Sequence, residues 1–201
     1  MNDGTTRMHP EESAASEAYR ILRSTLKFAA GDAPIRSILV VDIDRRKPSG
    51  VAHRLAHAFS RAGDPCVLIE TDSRRASSDP GLSDLIGGAD PVDIVQLSSG
   101  DAPSVVAAGA AADPDVLAGD GLQEALDTLL SRFDFAILTA ASLPEFGDAL
   151  AIAPRVDAVI LVVTAGRSSR ARAVEARDAL DRVGANTLGV VMIESKRSMF
   201  W

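Results

Sequence analysis

Apolar residues in this chain come in short runs, and the segments between them carry helical spacing. Ser37–Val41 (SILVV) is long enough for a buried strand. A charged loop, Asp42–Lys47, follows, and then a helical pattern runs from about Ser49 to Ala62. In that pattern Val51, Leu55, Ala58, Phe59 and Ala62 share one face. Pro48 suits the first turn of this helix and Gly63 its end. Cys66–Ile69 is the next apolar run. Two such strands joined by a helical crossover form a βαβ unit, so they should pair in parallel.

The same alternation continues on both sides of this unit. Upstream, Ser16–Ala29 predicts a helix with a stripe of Ala18, Leu22, Leu26 and Ala29. Glu17, Arg20, Arg23, Ser24 and Lys27 fall on its opposite side. Residues 1–15 are polar and predict a flexible arm, leaving 16–201 as one domain. Downstream, Gly81–Ile86 predicts a short helix. Residues 87–121 read as connection, with an apolar piece at Val92–Leu97 and a further strand near Ser104–Ala107. Leu122–Arg132 predicts a helix, Phe135–Leu138 a strand and Pro144–Pro154 a short helix. Val156–Thr164 (VDAVILVVT) is the strongest strand signal, Ser168–Val183 predicts a helix stopped by Gly184, and Leu188–Ile193 is the last strand. Strands alternating with helices predict an α/β fold: a three-layer, doubly wound, mostly parallel sheet.

Composition narrows the class. The 201 residues fit one domain, and 46% hydrophobic with 24% charged residues is ordinary for a globular protein. The net charge of −7 argues against general nucleic-acid binding. The N-terminal stretch lacks the apolar core of a secretory signal, and no apolar run approaches the roughly 20 residues of a membrane span. The single cysteine, Cys66, lies inside an apolar strand, which predicts a buried, inert thiol. These features predict a cytoplasmic protein.

The loop after the first strand of a βαβ unit is where nucleotides bind. Phosphate binding there needs glycines, so that backbone N–H groups can wrap the anion, and a lysine before Ser/Thr. This loop has no glycine before Ser49. It carries Asp42 and Asp44, which repel phosphate, and Arg45, Arg46 and Lys47. Together with Arg74 and Arg75 after the second strand and Arg167 and Arg170 after the strongest one, these cations should gather at one edge of the sheet. They make either a residual site for nucleotide, phosphoprotein or lipid phosphate, or a solvated basic rim balanced by Asp42, Asp44 and Glu70. His53 and His57 stand at i, i+4 on the helix with no third ligand in view, so no metal site is predicted.

The chain resembles the bacterial tyrosine kinases (BY-kinases) of capsule and exopolysaccharide synthesis, which belong to the MinD/ParA branch of the P-loop ATPases. The resemblance spans about residues 16–193. SEAYRILRSTLKF at 16–28 is similar to the family's opening helix, with its E-x-x-R-x-x-R motif as Glu17, Arg20 and Arg23. VLIETDSRR at 67–75, PGLSDLIGG at 80–88, FDFAIL at 133–138, GDALAIAPRVDAVILVVTAGRSSR at 147–170 and LGVVM at 188–192 follow its later segments. The resemblance implies an ATP- and magnesium-binding fold that phosphorylates a tyrosine-rich tail. It also implies ring assemblies with the E-x-x-R-x-x-R motif between subunits, and a membrane-embedded chain-length regulator as partner.

Measured against that pattern, the departures lie in the chemistry. Where the family carries G-x-x-G-x-G-K-[ST], this chain has IDRRKPSG, with Pro48 at the lysine position and Ser49 retained. In the second acidic motif Glu70 replaces the first aspartate and Asp72 keeps the second place. Thr139 replaces the metal-binding aspartate after FDFAIL, and the adenine-reading asparagine is replaced near Ile193 or Glu194. Tyr19 is the only tyrosine. Four altered elements point to an inactive, pseudokinase-like regulator or scaffold with no cofactor, since this catalysis depends on positioning and metal charge. Self-association or association with an active homologous kinase would proceed through Glu17, Arg20 and Arg23, and the membrane's inner face would be reached through a partner. Two rival readings stay open. One is an active ATP-dependent tyrosine kinase using Lys47, Ser49 and Asp72 with ATP and magnesium. The other is a MinD/ParA-like positioning ATPase.

Overall fold

The computed structural model describes residues 10–29, 34–43, 49–71, 78–110, 114–140 and 147–194. Six strands form one sheet: β1 (Ser37–Asp42), β2 (Cys66–Glu70), β3 (Ser104–Val106), β4 (Phe135–Ala140), β5 (Ala158–Ala165) and β6 (Thr187–Glu194). Their order is β3-β2-β4-β1-β5-β6, and every pairing between them is parallel. The expected α/β fold is therefore present. An isolated antiparallel bridge, Gln96 with Val105, flanks β3.

The central strands are apolar on both sides because helices cover both faces. One face carries Ile38, Val40, Leu68, Ile137, Ile160 and Val162 under α1 (Pro10–Phe28) and α2 (Val51–Ser60). The other carries Leu39, Val41, Val67, Ile69, Leu138, Val159 and Leu161. It lies under α6 (Asp120–Leu130), α7 (Asp148–Ile152) and α8 (Arg170–Arg182), with short α3 (Leu82–Ile86), α4 (Pro91–Ile94) and α5 (Pro114–Leu117) at the side. A 3-10 turn, Ala153–Arg155, leads α7 into β5.

At the amino edge of the sheet, Asp157 ties β5 to β1. Its Oδ2 accepts from the N–H groups of Arg36 (2.8 Å) and Ser37 (2.7 Å) and from the Ser37 hydroxyl (2.8 Å). The Asp157 N–H donates to Ser37 Oγ at 2.9 Å. Arg36 in turn donates to the Phe133 carbonyl (2.8 Å) before β4. These bonds satisfy backbone groups that the start of each strand leaves open.

Several elements depart from the expected bounds. The first helix begins at Pro10, six residues before its expected start at Ser16. The second begins at Val51 rather than Ser49, and Pro48, expected in its first turn, lies outside the described residues. Gly50 occupies its N-cap with φ of 73°, a left-handed conformation that ends any helical continuation toward the loop. Two four-residue helices, α4 and α5, stand in the stretch expected to be connection. Each opens on a proline, and Asp90 caps α4 by accepting from the Val92 N–H at 2.9 Å.

Candidate functional site

In a parallel sheet all strands end at one edge, and the loops leaving that edge build the site. The connection from β1 runs through α2 on one face, and that from β5 through α8 on the other. Neighbouring strands whose connections diverge leave a crevice between them, and here it opens between the ends of β1 and β5. The ladder between these strands extends one step further, with the Ile43 N–H donating to the Val162 carbonyl at 3.0 Å.

On the β1 side, the carboxylate of Asp42 accepts from the Ser49 N–H at 3.0 Å. Ser49 Oγ accepts from the Val51 N–H at 3.1 Å, so its lone pair serves the helix terminus. The loop end that would present N–H groups to a phosphate thus already holds an anion belonging to the chain. A phosphate oxygen brought to the same place would meet a like charge. At about 4 Å and an effective dielectric of about 20 that repulsion is roughly 4 kcal/mol.

On the β5 side, Gly166 turns at φ of 74°. Ser168 Oγ accepts from the Thr164 N–H at 2.9 Å, and Ser169 caps α8 by accepting from the Arg172 N–H at 3.2 Å. Arg167 and Arg170 are exposed on this turn, at the carboxyl edge as expected. Arg45, Arg46, Lys47, Asp72, Arg74 and Arg75 lie outside the described residues, so of the expected rim these two are located.

On the other side of β1 from β5, β4 carries Thr139 one residue before its end, in register with Val40 of β1 and Glu70 of β2. Its carbonyl accepts from the hydroxyl of Thr71, and a threonine side chain offers no carboxylate there. Glu70 Oε1 lies 3.3 Å from His53 Nε2. Among the described residues no three or more His, Cys, Asp and Glu side chains gather as a metal would require. At this edge the described residues thus offer a Ser49 N–H held by Asp42, a threonine near the end of β4 and a Glu70 beside His53. At the end of β6, where the base-reading asparagine would stand, are Ile193 and Glu194.

The first helix corrects the expected contact surface. Arg23 does not point away from the molecule. Its Nη1 meets Asp64 Oδ2 at 3.0 Å, and Lys27 Nζ meets Asp64 Oδ1 at 2.6 Å. The Arg23 and Asp64 side chains are only 17% and 15% exposed. Of the expected stripe, Leu26 is buried and Leu22 half-buried, while Ala18 and Ala29 are exposed. The packed side is instead Tyr19, Leu22, Arg23 and Leu26, because Asp64, in the turn after α2, draws the two cations inward. Glu17 and Arg20 remain exposed and pair with each other. Beside them, Ile21 (58%) and Phe28 (84%) are exposed apolar side chains.

Tyr19 sits between α1 and α2. Burial raises its hydroxyl above the ordinary range, and the Arg54 guanidinium hydrogen-bonded to it pulls the other way. The Cys66 thiol is buried and pushed up to about 12, first by burial and then by the Asp64 charge, as an inert core thiol should be. Sequence reasoning missed Asp42 as an internal anion, Asp64 as a clip and Asp148 as a fully buried carboxylate at the start of α7. The signal available for Asp42 was its place at the first residue after SILVV.

The fold is that seen in P-loop NTPases: a doubly wound parallel sheet of six strands. The domain matches the septum site-determining protein MinD complexed with Mg-ADP from Pyrococcus horikoshii with a TM-score of 0.62, at 18% identity over 82% of this chain and 72% of that one. In sequence, the chain is similar to bacterial tyrosine kinases. It is 24% identical to tyrosine-protein kinase YwqD of Bacillus subtilis over 203 aligned positions, covering 95% of this chain and 86% of the kinase. Its fold matches the kinase domain of the Escherichia coli tyrosine kinase ETK with a TM-score of 0.81 and 21% identity, over 93% of this chain and 79% of that one. No family model matches the chain.

Proposed function

We propose that this protein is a catalytically inactive tyrosine-kinase-like subunit, serving as a regulator or scaffold in capsule or exopolysaccharide production. The observation that carries the reading is the Asp42 carboxylate on the Ser49 N–H, at the place where a working loop receives phosphate. The Thr139 substitution and the Glu70–His53 contact support it. Phosphoryl transfer depends on positioning and on metal charge, and these residues supply neither.

The protein would act by contact. Among the described residues no helix is long and apolar enough to cross a membrane. The reading includes recruitment to the inner face of the membrane by a chain-length regulator, as the resemblance to capsule-pathway kinases suggests. It binds no nucleic acid, in keeping with its negative charge. Incubation with γ-labelled ATP and magnesium should label neither Tyr19 nor the tyrosine-rich tail of an active homologue. Pro48→Lys should stay equally silent, since Asp42 and Thr139 remain. Label incorporated by the wild type would overturn the reading, and label in the Pro48→Lys variant alone would reduce the loss to one position.

The α1 surface gives this role a contact. Glu17, Arg20, Ile21 and Phe28 lie outward, while Arg23 holds the helix to its own domain. Exposed ion pairs contribute about 0–1 kcal/mol each, so the apolar pair carries the larger share. Ile21→Asp with Phe28→Ser should weaken capture by an active homologous kinase by at least about tenfold. Unchanged capture in a competition titration would remove α1 from the interface.

A further inference from the structure

β5 and β6 reach the carboxyl edge of the sheet together. Ala165 and Glu194 are register partners, so the two strands end level. β5 turns there through Gly166 into α8. The chain beyond Glu194, residues 195–201, reads SKRSMFW and lies outside the described residues. Its tether bounds where its charges can be. Each residue advances the chain by at most about 3.6 Å, so the Cα atoms of Lys196 and Arg197 stay within roughly 7 and 11 Å of Glu194. That is the corner where Arg167 and Arg170 stand exposed.

Four cations thus share one corner of a chain whose net charge is −7. The side chains of Arg167 and Arg170 enter none of the ion pairs among the described residues. Asp178 and Asp181 of α8 are drawn to Arg177, which leaves Glu175 and Glu194 as the acids of α8 and β6 outside that cluster. α8 also opens on Arg170 and Arg172 with no acid in its first turn. A helix N-terminus is itself partly positive, so cations there add to a field that a carboxylate ordinarily offsets. Apolar groups accompany the charge. Met192, two residues before the edge, is 71% exposed, and Met199, Phe200 and Trp201 follow Lys196 and Arg197 directly along the chain.

We propose that this corner docks directly on an anionic lipid bilayer. Arg167, Arg170, Lys196 and Arg197 meet the headgroup phosphates, while Phe200 and Trp201 enter the boundary between headgroups and acyl chains. Clustered cations beside tryptophan and phenylalanine suit that boundary, where the rings are half wet and the charges face anionic lipid. A free phosphate would use the cations and leave the rings idle, so the aromatic pair selects the bilayer. The tether allows it: seven residues from Glu194 to Trp201 span at most about 25 Å, enough to set the rings in the bilayer while the β5–α8 turn faces it. The corner is distinct from the α1 surface. The contact needs no protein partner and does not depend on catalytic inactivity.

Trp201 is the one tryptophan, so its emission reports on this segment alone. Full-length protein mixed at low salt with vesicles of phosphatidylglycerol and phosphatidylcholine should co-sediment, with its emission shifted to the blue. Vesicles of phosphatidylcholine alone should do neither. At about 1 M salt, where the Debye length is about 3 Å, the affinity should fall at least about tenfold. Lys196→Glu with Arg197→Glu should weaken binding at least about tenfold, and so should Arg167→Glu with Arg170→Glu. Phe200→Ser with Trp201→Ser should weaken it comparably by co-sedimentation. Each variant should melt at the wild-type temperature, which shows that the fold is kept. The vesicles carry no protein, so a failure of recruitment by a membrane partner would not touch this result. Absence of co-sedimentation with anionic vesicles at low salt would overturn the proposal. So would binding that survives Arg167→Glu with Arg170→Glu, or emission already blue-shifted before vesicles are added and unmoved by them. Displacement from the vesicles by inorganic phosphate at matched ionic strength would also overturn it, in favour of a free-phosphate site.

Discussion

Phe59→Ala is expected to lower the unfolding free energy by about 3–5 kcal/mol. Phe59 is 0% exposed and is the largest fully buried side chain. It stands on the inner face of α2, and its ring centroid lies 4.3 Å from that of Phe135 at a tilt of 38°. Lys27 of α1 sits 5.6 Å above the same Phe135 ring and also holds Asp64, so the aromatic pair underlies the seat of α1 as well as α2. Truncation removes the transfer energy of a whole ring and leaves a cavity that sheet and helix cannot close. At roughly 2–4 °C per kcal/mol for a domain of this size, the melting temperature should fall by roughly 6–20 °C. Phe59→Leu keeps most of the volume and should lose much less, within about 1.5 kcal/mol. Urea unfolding with an unchanged slope measures both. A loss below 1 kcal/mol for Phe59→Ala would mean that the α2 face packs otherwise than described.

Much of this architecture was legible because its signals are local. VDAVILVVT holds seven of the eight residues of β5, and the βαβ unit around Ser37–Ile69 appears with parallel strands, although β1 and β2 do not pair as expected because β4 stands between them. Failures came where a distant partner decides. An apolar stripe drawn through Ala18, Leu22, Leu26 and Ala29 counts only apolar residues, whereas the packed side of α1 is turned by Asp64, a residue 41 positions from Arg23. The anchoring of β5 to β1 through Asp157 spans 120 positions and has no sequence signature. The helix bound at Ser49 was misplaced because Gly50 adopts a positive φ, which glycine allows but does not announce. The short helices α4 and α5 carry too few residues to show a period. In the candidate site, the missing phosphate-loop glycines and the Thr139 substitution were readable as residue types. That Asp42 would bind the Ser49 N–H depends on the loop's closure and was not.

The same loop sets the second large effect. An active nucleotide site in this fold gathers backbone N–H groups, a lysine and a metal carboxylate on the phosphates. Here the Ser49 N–H is committed to Asp42, and Thr139 stands near the end of β4. The like-charge cost of roughly 4 kcal/mol estimated for a phosphate beside Asp42 alone corresponds to nearly a thousandfold in affinity. A site that would hold ATP at micromolar concentration is thereby moved to about the millimolar range. Changing Asp42 alone would relieve the repulsion but would not supply the metal carboxylate. The most direct measurement is calorimetric titration of the full-length protein with ATP and magnesium. The account predicts no saturable heat at micromolar nucleotide and no change in melting temperature at that concentration. Tight, magnesium-dependent binding with one-to-one stoichiometry would contradict it.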